Sequence, residues 1–259
     1  MSGAGGSARR AAYALAAALV ATAMVLAWIA RGPDPATPAR DAAGEHVDTA
    51  DVVAMVSTFE RTADYDYDPP PPGSYALPPI KAAPDATLLD HTGQRLRLGG
   101  LWGGRISLVS FVYLTCGDQD GCPLAMSVLY DIEHASRQAP LLRRKAQLVT
   151  VSFDPKRDPP AALAALAEPK QADVAADRTM PWRFLTGTSE ADMAPMLAAF
   201  GQRVDRSGDA ERINHLLRMY LVDAKGRIRN IYGLGTIDPR LIMTDVATLL
   251  MEGADETGR

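Results

Sequence analysis

Cysteine is nearly absent from this sequence. Only Cys116 and Cys122 occur in 259 residues, too few for a disulfide-built scaffold. Runs of one charge are also missing. The net charge is −4 at neutral pH, and no basic stretch supplies the concentrated positive field that nucleic-acid binding requires. Aromatic residues are few, at 6%, and no internal repeat is present, which argues against a repeat architecture. With only four histidines, a metal site has few imidazoles to draw on.

What is present begins at the amino terminus. Between Arg10 and Arg31 lie twenty residues without a charge. At about 1.5 Å per residue they can cross the roughly 30 Å hydrocarbon core of a bilayer. A cleavable signal has a shorter apolar region, of about 7–15 residues, so an uncleaved anchor is expected. Arg9 and Arg10 precede the span and the flank beyond Arg31 soon turns acidic. The positive-inside rule therefore leaves the N-terminus in the cytoplasm and exports the rest. The exported side is oxidising, so the two cysteines can pair there unless a reductant is supplied.

Four regions are expected: an anchor over 1–31, a Pro/Ala-rich tether over 32–81, a globular domain over 82–252 and a disordered tail over 253–259. Within the tether, "VDTADVVAMVSTFERTADY" has the spacing of a short amphipathic helix, with Val52, Val53, Val56 and Phe59 on one side. "YDYDPPPPGSYALPPI" cannot be regular structure, because prolines remove donors and fix φ; it reads as an extended spacer holding the domain off the membrane.

From Ala82 on, the texture is globular. "ATLLDHTGQRLRLGGLWG" reads as a hairpin turning at His91–Gly93, and "RISLVSFVYL" and "AQLVTVSF" as strands buried on both faces. Pro123 suits the first turn of a helix from about Leu124 to Gln138. Asp158 is expected to N-cap the next helix, and Ser189 and Gly201 to bound another. A strand "WRFLTG", a hairpin turning at Ala224–Gly226 and a last helix complete the pattern. A parallel crossover followed by an antiparallel hairpin describes an α/β thioredoxin-like sandwich, here with an added N-terminal hairpin and a single preceding transmembrane helix.

The cysteines sit between a central strand and a helix, at the edge where α/β sheets carry active loops. Three roles are open to them: a loop staple, a redox pair or half of a metal site. Cys122 at a helix N-terminus should have its thiolate favoured. Asp118 and Asp120, between the sulfurs, oppose thiolate formation and are tolerated by a cation site. Two thiolates alone make a thin site, but soft Cu(I) accepts two or three ligands from thiolate, thioether and imidazole. His46 falls in the tether, His91 in a solvated turn and His134 on a helix surface. His215, at the mouth of an apolar strand in "INHLLRMYLVDAKG", is the candidate third ligand, although histidines in such places are more often capped or half-buried.

"DHTGQRLRL", "SLVSFVYLTC", "CPLA", "VTVSFDPKRDPP", "WRFLTG" and "HLLRMYLVDAKGRI", in that order, resemble the SCO/SenC family of membrane-anchored, thioredoxin-like copper chaperones for cytochrome oxidase assembly. The resemblance implies that Cys116, Cys122 and His215 bind one copper ion per domain and that Asp154 stands near them. It also implies a single-pass inner-membrane protein with a periplasmic domain, a copper-accepting membrane partner such as an oxidase subunit, and a thioredoxin-like reductant. The family usually has three residues between its cysteines; five stand here. A second reading is a thiol–disulfide oxidoreductase that reduces client cysteines. A peroxidase would need an arginine beside the cysteine, and Arg143 and Arg144 are too distant in sequence to assign. An inert exported domain with a staple is the fourth.

Overall fold

A computed structural model of the chain describes residues 48–59, 65–117, 121–206 and 213–257. The expected anchor, the first part of the tether, and Asp118 and Asp120 lie outside these residues. No helix among the described residues is long and apolar enough to cross a membrane.

An eight-stranded mixed sheet organises the domain. Its strands are β1 (Lys81–Ala82), β2 (Thr87–Asp90), β3 (Arg95–Arg97), β4 (Ile106–Val112), β5 (Ala146–Ser152), β6 (Trp182–Thr186), β9 (Arg218–Val222) and β10 (Arg227–Gly233), in the spatial order β1-β10-β9-β4-β5-β6-β2-β3. A separate ribbon pairs β7 (Val204–Asp205) with β8 (Asn214–His215). The helices are α1 (Thr49–Val56), α2 (Cys122–Ala135), α3 (Pro140–Lys145), α4 (Pro160–Ala175), α5 (Glu190–Phe200) and α6 (Pro239–Thr257). Strands β4, β5 and β6 are parallel, while β9 runs antiparallel to β4 on its other side.

Every residue of β4 and β5 is buried, as their continuous apolar runs predict. Side chains alternate across the sheet. Ile106, Leu108, Ala146 and Leu148 enter one core with α1, α2, α3, α4 and α6. Val109, Phe111, Val149 and Val151 enter the other with Met193, Met196, Leu197 and Phe200 of α5. There Phe111, Phe200 and Tyr220 form a triangle of edge-on rings, with centroids 5.0, 5.1 and 5.8 Å apart. This three-layer arrangement is the expected thioredoxin-like α/β sandwich, and the β2–β3 hairpin turns where expected.

Three expectations are corrected. The stretch placed in the tether is largely docked. Val52 and Met55 of α1 are buried in the core. The Tyr65 hydroxyl donates to the carbonyl of Ile237, and the Tyr75 hydroxyl to Asp245 on α6. The Gly73 N–H donates to Thr248 Oγ1 at 3.0 Å, and the Ile80 N–H to the Ile228 carbonyl at 2.8 Å. The prolines are irregular, as predicted, but the tyrosines between them supply donors and apolar area that fasten the segment down. The tail is helical as far as Thr257. Asp158 does not cap α4, which has Pro159 at its N-cap; it turns inward and accepts from the Leu114 N–H (2.9 Å) and the Ser152 hydroxyl (2.6 Å).

Candidate metal centre

The parallel β4–α2–β5 crossover sets up the site. Val112 ends β4 level with Ser152 at the end of β5, so Tyr113 and Phe153 emerge side by side, and the Phe153 N–H donates to the Val112 carbonyl at 3.0 Å. The chain then turns, with the Cys116 N–H 3.2 Å from the Tyr113 carbonyl. Cys122 opens α2, with Pro123 in its first turn as expected. Cys122 is 3% exposed, Cys116 is half-buried, and both are free thiols.

His215 arrives from the β7–β8 ribbon. Its Nε2 stands 3.4 Å from the Cys122 sulfur and 3.9 Å from the Cys116 sulfur. The three donor atoms all lie within 4.8 Å of one another, so the group can hold a metal ion. The imidazole is walled by Phe153 (centroids 5.0 Å apart) and by the edge of Tyr113 (5.8 Å). These two rings belong to the site and were missed in the sequence. Their signal was the shared position of two aromatics just past the ends of neighbouring parallel strands.

Burial and the helix N-terminus compete at Cys122. The sequence argues for a favoured thiolate, but burial pushes the thiol well above its usual range. Contact with Cys116 pushes the same way, and the backbone N–H groups of Tyr113 and Cys122 only partly offset it. Desolvation of a nearly enclosed sulfur outweighs a half-charge at a helix end. A metal cation would supply the missing compensation, since a coordinating thiol is deprotonated outright.

Asp154 is buried beside Phe153, in an ion pair with Arg157, and Arg206 Nη1 lies 3.9 Å from it. Arg157 in turn lies over the Tyr113 ring, 5.4 Å from its centroid. Asp154 thus reaches the site through the arginine and the ring wall. His134 is exposed on α2 and His91 lies in the hairpin turn; His46 is outside the described residues. Arg143 and Arg144 lie on α3, which leads into the start of β5 and so sits at the opposite end of the sheet from the cysteines.

Fold and site together define a thioredoxin-like α/β protein with a Cys–Cys–His donor group at one sheet edge. The SCO1/SenC family model matches residues 79–251, well over half of the chain, and the chain belongs to that family. Among solved structures, Arabidopsis thaliana ScoI with copper bound is 17% identical with a TM-score of 0.52, covering 66% of this chain and 99% of that one. A SCO1/SenC family lipoprotein from Bacillus anthracis str. Ames is 21% identical with a TM-score of 0.52, covering 66% and 97%. At these identities the likeness supports the fold. No curated protein matches the chain in sequence.

Proposed function

We propose that this domain binds one copper ion through Cys116, Cys122 and His215 and passes it to a copper-accepting protein such as a respiratory-oxidase subunit. The observation that carries the reading is the convergence of two sulfurs and an imidazole nitrogen within 4.8 Å. Two soft thiolates with one borderline imidazole suit Cu(I), and family membership and the copper-bound Arabidopsis relative point the same way. The uncharged stretch between Arg10 and Arg31 would anchor the chain in the inner membrane, with the domain on the periplasmic side.

Transfer requires the acceptor to approach the donor atoms. Leu114, Leu216 and Leu234 are 38%, 44% and 68% exposed. Leu114 follows β4, Leu216 precedes β9, and Leu234 follows β10, whose Gly233 pairs with Arg218. All three therefore lie at the sheet edge that carries the site. An apolar rim of this kind suits a protein acceptor, because docking would expel water from around the exchanging ligands.

The test is an oxygen-free Cu(I) titration of the reduced full chain against a competing chelator, beside His215→Ala. One tightly held copper, weakened in the variant, is expected. Binding indifferent to His215 would refute the three-ligand site. It would favour thiol–disulfide exchange, the reading suggested by a half-buried Cys116 beside a buried Cys122. In that case a single-cysteine variant should trap a mixed disulfide with a client.

A further inference from the structure

We infer that Gln202 is a positioning residue for His215, holding the imidazole where the cysteine sulfurs can share a metal with it. The inference rests on the copper reading above and adds a residue to it. His215 does not sit on the main sheet. Among the described residues its strand β8 pairs only with β7, two residues against two, and a ribbon that short is not stable by itself. Something outside the ribbon must fix it.

Gln202 is placed to do so. The chain leaves α5 through Gly201, whose φ of 76° is left-handed. The Gly201 N–H donates to the Ala198 carbonyl at 2.9 Å, and the Gln202 N–H to the Leu197 carbonyl at 2.8 Å. This double cap ties the Gln202 backbone to the rigid end of a core helix. The Gln202 side chain is 4% exposed. Its Nε2 donates to the carbonyl of Leu216, the residue after His215, at 2.5 Å, and its Oε1 faces the buried Tyr220 hydroxyl at 3.4 Å. The assignment of amide nitrogen and oxygen follows from the partners: a carbonyl needs a donor, and a phenol can supply one.

The clamp is closed from other directions. The Leu216 N–H points back to the Arg203 carbonyl at 3.4 Å. Arg218 Nη1 donates to the Gly201 carbonyl at 2.9 Å. Arg206, at the far end of β7, donates to the Phe153 carbonyl and pairs with Glu190 at 3.1 Å. Of these, the Gln202 amide is the buried link that joins the histidine strand to both α5 and β9. Partners that orient a metal ligand from behind typically change metal affinity by about 10–100-fold when removed.

The test substitutes Gln202→Met, which keeps the length and removes both hydrogen bonds, in the full chain. Two quantities are compared with wild type: amide hydrogen exchange in the metal-free protein and Cu(I) affinity by chelator competition. The inference expects faster exchange at His215 and Leu216, with the central-strand amide of Val109 unchanged. It also expects Cu(I) affinity to fall by about 10–100-fold. A general loss of structure would move the Val109 amide as well, and that result overturns the positioning role. Unchanged exchange at Leu216, or Cu(I) affinity within about twofold of wild type, where the expectation is at least tenfold, also overturns it. If Gln202→Met does not fold, Gln202→Glu retains the size and the acceptor for Tyr220 but turns a carboxylate oxygen on the Leu216 carbonyl. The same pattern is then expected. A wild-type chain that fails to bind Cu(I) at all would sink the copper reading, while faster exchange in the variant would still support the clamp.

Discussion

His215 Nε2 stands 3.4 Å from the sulfur of Cys122, although 93 residues separate them in the chain. The approach depends on β9 lying antiparallel beside β4. That pairing brings the start of β9, and the ribbon leading into it, to the same sheet edge as the end of β4. The candidate metal centre is thus a product of sheet topology, and substitutions that disturb its walls should be felt at the metal.

Phe153 forms the wall nearest the imidazole and is fully buried. Phe153→Ala should cost about 3–5 kcal/mol of stability by opening a core cavity. It should also weaken Cu(I) binding, because the ring then has room to turn away from the sulfurs. Thermal unfolding and the chelator titration measure the two effects. Phe153→Leu should recover most of the stability and only part of the affinity, since it fills volume without a flat face.

Gly201 should be replaceable only at a cost. Its φ of 76° is a left-handed conformation, and an added Cβ would lie 3.5 Å from Arg218 Nη1. Gly201→Ala is expected to lose about 1–2 kcal/mol, read as a lowered unfolding midpoint. The exposed Gly117, in the cysteine turn, has open space where a Cβ would go and should accept alanine at lower cost.

Asp223 should make the fold acid-sensitive. Burial pushes its carboxyl up, but the backbone N–H groups of Arg227 and Lys225 and the guanidinium groups of Arg229 and Arg227 prevail and hold it below the usual range. The folded state therefore binds its proton less readily than the unfolded chain. This stabilisation is fully present above the unfolded carboxylate pKa of about 3.9 and is lost as pH falls through the lower folded value. Asp223→Asn should cost about 2 kcal/mol at neutral pH, and the gap to wild type should close below about pH 4. Urea unfolding at pH 7 and pH 3 checks the sign.

The segment from Tyr65 to Ile80 should behave as part of the domain. Asp245 is buried and accepts from the Tyr75 hydroxyl, from Tyr232 at 2.6 Å and from Asn230 at 2.7 Å. Tyr75→Phe removes one of three donors to a buried carboxylate and should cost about 1–3 kcal/mol. A chain beginning at residue 82 loses this contact together with Val52, Met55 and Leu77 from the core. It should therefore melt well below a chain beginning at residue 48.

Much of the framework was legible in the sequence because its causes are local. The apolar, β-branched-rich runs of β4 and β5 read as buried strands. Ser189 and Gly201 bound α5 as their capping chemistry dictates, and the β2–β3 turn follows from its turn residues. The cysteine loop between strand and helix was visible for the same reason. The tertiary structure decided everything that depends on groups meeting across the fold. Asp158 has the composition of a helix cap, yet two donors at the ends of β4 and β5 draw it inward. The proline-rich stretch has the composition of a spacer, yet Tyr65 donates to Ile237 just ahead of α6, Tyr75 to Asp245 on α6, and the Ile80 N–H to Ile228 on β10. Cys122 sits at a helix N-terminus that favours a thiolate, yet its burial prevails. His215 stood out among the four histidines by its place before an apolar strand and by the family resemblance, but its approach to the sulfurs exists only where the β7–β8 ribbon delivers it. Periodicity and capping act over a few residues and can be read along the chain, whereas desolvation and the convergence of ligands exist only once the sheet is assembled.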